Sequence, residues 1–233
     1  ALAWRRAAVA ARLVRGVLDD LKRRGLRAVQ TLLDPERDQV ASADLSRGGL
    51  PAVTTLEFME RSTLDPPANP LDPPRLVWRE YEPEQADAFD RILQRTAIDS
   101  LDLPELNGLR GFHDVLAGQV AAGRFLAPFW RLGAPHEEGP DFNPLARPDR
   151  VLLLCAPSNR YDAWEITYLG LTPEARGRGL ARRALADALE LTREHASRLT
   201  LAVDLRNLPA VRLYRAAGFL PFDRRGVHLV RFE

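Results

Sequence analysis

The stretch from Trp164 to Ala181 constrains this chain more than any other. Trp164-Glu165-Ile166-Thr167-Tyr168-Leu169-Gly170-Leu171 is β-prone, and Thr172-Pro173-Glu174-Ala175 reads as a turn. Arg176-Gly177-Arg178-Gly179-Leu180-Ala181 then runs without a break into a helix pattern. In that helix Leu180, Ala181, Ala184, Leu185, Ala188 and Leu189 recur at the spacing of one buried face, and Arg182, Arg183, Asp187, Glu190, Arg193 and Glu194 fill the other. A strand, a glycine turn and a helix start make an anion site by construction. The first turn of a helix has N–H groups without intrahelical partners, and its macrodipole places partial positive charge there. Gly177 and Gly179 carry no Cβ to keep a phosphate from the backbone, and Arg176 and Arg178 add charge at the rim.

The spacing separates the phosphate-binding classes. No Gly-x-x-x-x-Gly-Lys-Ser/Thr run exists, and Gly-x-Gly-x-x-Gly would need a glycine where Arg182 stands. What fits is Arg-x-x-Gly-x-Ala, as Arg176, Gly179 and Ala181. Downstream, Leu199 to Leu205 alternates as a strand, and Asn207-x-x-Ala210-x-x-Leu213-Tyr214 reads as a short helix ending at Gly218-Phe219. These two motifs, in this order, resemble the acyl-coenzyme A loop and the following helix of the GCN5-related N-acetyltransferases (GNAT). The resemblance implies an α/β (α+β) fold with a mixed central sheet flanked by helices. It also implies an acyltransferase that moves an acetyl group from acetyl-CoA to a primary amine by direct attack, with acetyl-CoA as co-substrate and no metal. By the same resemblance, backbone N–H groups of Arg176, Gly177, Arg178, Gly179, Leu180 and Ala181 hold the pyrophosphate, and the strand backbone at Leu169, Gly170 and Leu171 pairs with the pantetheine arm.

Glu165 is the candidate base, four residues before Leu169 where family members place a glutamate; an ordinary strand glutamate is the alternative. Strand alternation puts Glu165, Thr167 and Leu169 on one side. Tyr214 matches the family tyrosine near the sulfur and is the candidate acid, since a phenol with a pKa near 10 can protonate a departing thiolate. Packing of its ring on coenzyme A is the other reading. Asn207 bonds the cofactor or caps its helix. An alternative function is a catalytically silent acyl-CoA-binding regulatory or scaffold module. The acceptor amine and the oligomeric state are not readable.

Composition narrows the setting. The 233 residues hold 33 basic and 32 acidic side chains, and a net charge of +1 argues against a general nucleic-acid binder. Cys155, the only cysteine, sits in an apolar run that reads as a buried strand, which fits a cytoplasmic enzyme. No apolar run approaches a membrane span, and arginines interrupt the N-terminal alanines where a signal peptide would be apolar. The four histidines lack metal-ligand spacing.

The order of elements at the start of the chain repeats that of its C-terminal half, though any helix–strand–helix segment could align this well. A helix pattern through Val14, Val17, Leu18 and Leu21 is followed by a strand candidate, Leu26–Leu33, then a weakly helical segment over 36–45, Gly48-Gly49, and a strand over 53–59. Arg5 and Ala10 stand 171 residues before Arg176 and Ala181, and Gly49 stands 169 before Gly218. We read 1–61 as a partial, degenerate GNAT-like unit in which Ala8 replaces the motif glycine, 62–75 as a proline-rich linker, and 76–233 as the acetyltransferase domain. Within that domain we expect strands over 76–81, 125–132 and 151–156, helices over 83–96 and 111–122, loops over 101–110 and 133–149, and two final strands, 219–222 and 227–232, joined through Arg224-Arg225-Gly226.

Overall fold

The computed structural model describes residues 2–65, 75–136 and 147–232. Helices α1 (Leu2–Arg23), α2 (Gln39–Arg47), α3 (Ala86–Thr96), α4 (Phe112–Ala121), α5 (Leu180–Thr192) and α6 (Leu208–Ala216) surround one sheet. Its strands are β1 (Ala28–Leu33), β2 (Ala52–Ser62), β3 (Leu76–Glu80), β4 (Trp130–Pro135), β5 (Val151–Pro157), β6 (Ala163–Leu171), β7 (Arg198–Asp204) and β8 (Leu220–Arg231). They lie in the order β1-β8-β2-β7-β6-β5-β4-β3. The expected mixed sheet flanked by helices is therefore what forms, with strands from 1–61 and from 76–233 in one continuous ladder.

β5 sits deep because its run Val151-Leu152-Leu153-Leu154-Cys155-Ala156 is apolar throughout and wholly buried. Side chains on β6 alternate between two covering layers. A Cβ added at Gly170 would come within 2.8 Å of Thr96 Cβ, so only glycine lets the end of α3 settle there. Leu169 and Leu171 instead pack with Leu180 and Ala184 of α5. Over the far end of the sheet, Tyr81, Phe89, Phe112, Phe125 and Trp130 form an aromatic cluster with ring centroids 5.0–6.4 Å apart.

β2 joins the two ends of the chain. It pairs antiparallel with β7 along one edge and with β8 along the other. Glu57 on β2 is fully buried and accepts hydrogen bonds from Arg215 (2.9 Å) and Arg224 (2.7 Å), tying β2 to α6 and β8. Burial works against its charge, but the two guanidiniums hold its pKa below the usual carboxylate value.

Two expected elements differ. The strand expected over 125–132 starts at Trp130, because Pro128 sits in a 3-10 turn over Ala127–Phe129, and it continues to Pro135 in what was expected to be loop. The two final strands are one. Gly226 pairs with Thr55 on one side and Leu33 on the other, and Arg225 and Arg224 pair with Leu56 and Glu57 of β2, so the segment stays in the ladder. Most of the expected linker (66–74) and of the loop before β5 (137–146) lies outside the described residues.

Candidate active site

The site begins where β6 and β7 part. They pair in parallel only from Ala163↔Arg198 to Ile166↔Leu201. Beyond that point the β6 edge facing β7 is unpaired, and the gap opens into a cleft of about 460 Å³. Its walls include Thr167 to Leu171, Leu201 to Val203, Asn207 and Tyr214, and Arg176, Gly177 and Gly179 to Arg182.

At one end of the cleft stands the glycine loop. A 3-10 turn over Pro173–Ala175 leads to Gly177 and Gly179, both left-handed at φ 72° and 76°. Nothing lies within 4 Å of where a Cβ would stand on either. The break places the start of α5 at Leu180, and its first bond back to the loop is Arg183 N–H to Gly179 O at 3.2 Å. Among the described residues, the amides from Gly177 to Arg182 have no acceptor. This open row of donors, two of them on glycines without side chains, fits a diphosphate.

The arginines behave differently from expectation. Arg176 turns away from the loop surface: its guanidinium donates to Leu171 O, Thr96 O (3.1 Å) and Ile98 O (2.6 Å). Arg178 donates to Asp149 at 2.6 Å. Burial alone would raise the Asp149 carboxyl, but hydrogen bonds from Arg147 and Arg178 bring it to about 2. Both arginines build the loop, and their charge at the rim is already engaged. Of the two arginines on the cleft wall, Arg182 is exposed and has no ion-pair partner among the described residues. Sequence reasoning placed it on the polar helix face; its position three residues after Gly179 was the available signal.

Tyr214 is where the motif put it, buried on the cleft wall. Burial pushes its phenol pKa well above the ordinary value, and the Asp102 carboxylate pushes the same way. Asn207 lines the cleft and caps α6, its Oδ1 accepting from Ala210 N–H at 3.2 Å. Leu169, Gly170 and Leu171 line the cleft.

Glu165 is not among the residues of the cleft wall. Its Oε2 is ion-paired with Arg124, which also donates to Pro157 O. The expected alternation fails at a β-bulge, where Leu154 opposes Tyr168 and Cys155 opposes Ile166, so Thr167 is the extra residue. Its hydroxyl donates to Leu154 O at 3.1 Å. A bulge has no composition signature in this strand. The carboxylates on the cleft wall are instead Asp99 and Asp102, from a loop that sequence reasoning left without a role. Asp102 opens onto the cleft, yet burial on its other sides raises its carboxyl pKa. Tyr168 donates to, or accepts from, Thr96 Oγ1 at 2.6 Å, and burial raises its phenol also. The Cys155 thiol is fully buried and pushed up to about 12, which leaves it no nucleophilic role. Among the described residues no group of three or more His, Cys, Asp or Glu is placed to hold a metal ion, and no helix is long and apolar enough to cross a membrane.

A parallel strand pair that splays beside a glycine-broken helix start makes a cleft with an anion-attracting end. Residues 142–219 match the family model for the acetyltransferase (GNAT) family. Over that stretch the chain is similar to the GNAT-family acetyltransferases. Its fold is that of a GCN5-related N-acetyltransferase from Sphaerobacter thermophilus, at 20% identity and a TM-score of 0.58, over 88% of this chain and 59% of that one. A Drosophila protein (17% identity, TM-score 0.54) covers 88% of this chain, which spans 61% of it. A functionally unknown conserved protein from Staphylococcus epidermidis (10% identity, TM-score 0.56) covers 94% of this chain and is itself covered over 81%. The chain thus spans about three fifths of the length of the first and second of these. No curated protein matches it.

Proposed function

We propose that this chain transfers an acetyl group from acetyl-CoA to a primary amine by direct attack. The observation that carries the reading is the row of unbonded amides from Gly177 to Arg182 at the end of the splayed β6–β7 cleft. These amides and Arg182 would hold the pyrophosphate, and the unpaired edge of β6 at Leu169 to Leu171 would receive the pantetheine. Acetyl-CoA supplies the activated thioester. The protein's part is to hold, orient and move protons. Tyr214, kept protonated by its raised pKa, is the donor for the departing sulfur. The incoming ammonium must lose a proton before it can attack. Asp102 is the cleft-wall carboxylate whose raised pKa suits that task; Glu165 would need to leave Arg124 to perform it.

We read residues 1–61 as a degenerate partial copy of the 76–233 domain. In its favour, α2 and α6 each span nine residues, and each ends at a left-handed glycine, Gly49 at φ 101° and Gly218 at φ 87°. The strand order β1-β8-β2-β7 is also symmetric about its centre, since β2 lies beside β7 as β8 lies beside β1.

The test is thermal shift with acetyl-CoA, then thiol release over a panel of amines. A ligand that binds only the folded state raises Tm, so a shift with turnover is expected. No shift at millimolar cofactor would overturn the reading, and saturable binding without turnover on any amine would favour a silent acyl-CoA-binding module.

A further inference from the structure

The segment between α3 and α4 forms a strap along the cleft, since Asp99, Ser100, Leu101, Asp102 and Asn107 all line it. It is fastened at both sides of the splay. On the β6 side, Arg176 donates to Thr96 O and Ile98 O, and Arg95 pairs with Glu174. On the β7 side, the fastening runs through Asp204, the last residue of the strand. Asp204 N–H donates to Asp102 Oδ1 at 2.9 Å, and Asp204 Oδ2 accepts from Leu103 N–H at 3.2 Å. Arg206 grips Asp204 at 2.7 Å and meets both oxygens of Glu105, at 2.7 and 2.9 Å.

Asp204 is wholly buried, so each of its hydrogen bonds is made in a low-dielectric setting where a lost partner costs most. Burial would raise its carboxyl, but bonds from Arg206, Thr54 and the Arg206 and Leu103 amides hold it low. One of those partners comes from the N-terminal segment: Thr54 Oγ1, on β2, donates to Asp204 Oδ1 at 2.6 Å. Beside it, Leu205 N–H donates to Thr55 O at 3.0 Å. The strap also packs on that segment, with Leu103 and Leu106 against the cluster of Leu56, Val227 and Leu229. Leu103 is held in the left-handed region at φ 43°, which a leucine adopts only when its surroundings fix it.

We infer that the N-terminal segment acts on the cleft: Thr54 is a positioning residue that, through Asp204, holds the 97–107 strap in place as the wall retaining acetyl-CoA. The inference rests on the acetyl-transfer reading for its ligand, but not for its contacts. It gives residues 1–61 a task in the reaction.

The test compares the full chain with Thr54→Val and Thr54→Ser. Thr54→Val removes the donor and keeps the shape; Thr54→Ser keeps the donor. Hydrogen exchange, without cofactor, should run about tenfold faster over 99–106 in Thr54→Val, return to the parent rate in Thr54→Ser, and stay unchanged in α5. The Kd for acetyl-CoA should rise by about tenfold in Thr54→Val, with the serine variant near the parent. Should Thr54→Val fail to fold, Glu105→Gln cuts the strap's ion pair to Arg206 and leaves β2 intact. It should give the same two changes at roughly threefold. Unchanged strap exchange in Thr54→Val, faster exchange with unchanged Kd, or no effect of Glu105→Gln would each overturn the inference. A parent chain that binds no acetyl-CoA would sink the acetyl-transfer reading, and the exchange comparison would still decide whether Thr54 holds the strap.

Discussion

Segments α1-β1-α2-β2 and α5-β7-α6-β8 share an order of elements and occupy symmetric places in one sheet, yet only the second lines the splayed β6–β7 cleft. The difference lies in how each first helix begins. Before α5 the chain breaks at two left-handed glycines and leaves amides open. In α1 the helix already runs from Leu2, so from Arg6 onward the amides are committed to helical bonds. The groove between α1 and α2, about 790 Å³ and lined by Arg6, Ala8, Ala11, Val40 and Asp44, is crossed by an Arg6–Asp44 ion pair at 3.2 Å. The covering also differs. Leu180, Ala184 and Ala188 are fully buried, while Val9, Leu13 and Val17, which stand 171 positions earlier, are 58%, 66% and 57% exposed. The two frames share the ladder but differ in the broken helix start and the splayed parallel neighbour, which only α5 has.

The largest effect should come from the loop glycine. Gly179→Val forces a β-branched residue to φ 76°, where the loop must rearrange. Acetyl-CoA affinity should fall by roughly a hundredfold or more by calorimetry. The mirror change, Ala8→Gly, should create no site, because the α1 amides stay in their helix; a second binding event there would break the comparison. Next comes Tyr214→Phe, which should lower kcat by about ten- to a hundredfold with acetyl-CoA Kd little changed. An equal loss of binding would reduce Tyr214 to a packing surface. Glu165→Gln should leave the pH–rate profile in place, since the parent side chain faces Arg124, and a shifted profile would return the base role to Glu165. Smaller still are the helix faces. Leu180→Ala should cost about 2–5 kcal/mol in denaturant unfolding and Val9→Ala about 0.5 or less. Equal costs would mean that the α1 stripe is covered in solution.

The glycine-loop end of the cleft was legible because its determinants are local. Glycines needing positive φ, a helix face with a 3.6-residue period and an Asn cap each leave a mark in neighbouring residues, and Gly177, Gly179, Leu180 and Asn207 stand where those marks put them. The carboxylate side of the cleft was not legible, since it depends on contacts across the chain. Asp102 meets Asp204 over 102 positions, Thr54 meets Asp204 over 150, and Arg124 captures Glu165 over 41. The bulge at Thr167 alters which side chains face the cleft without altering composition. The last strand was split in the sequence reading for the same reason: Arg224-Arg225-Gly226 has turn-like composition, and only the two flanking strands keep it extended.

The central claim is that one of two similar frames binds the cofactor. Titration of the intact chain with acetyl-CoA by calorimetry tests it most directly. One site per chain is expected, abolished by Gly179→Val and unaffected by Arg5→Glu. Two sites per chain, or binding that survives Gly179→Val and disappears with Arg5→Glu, would contradict it.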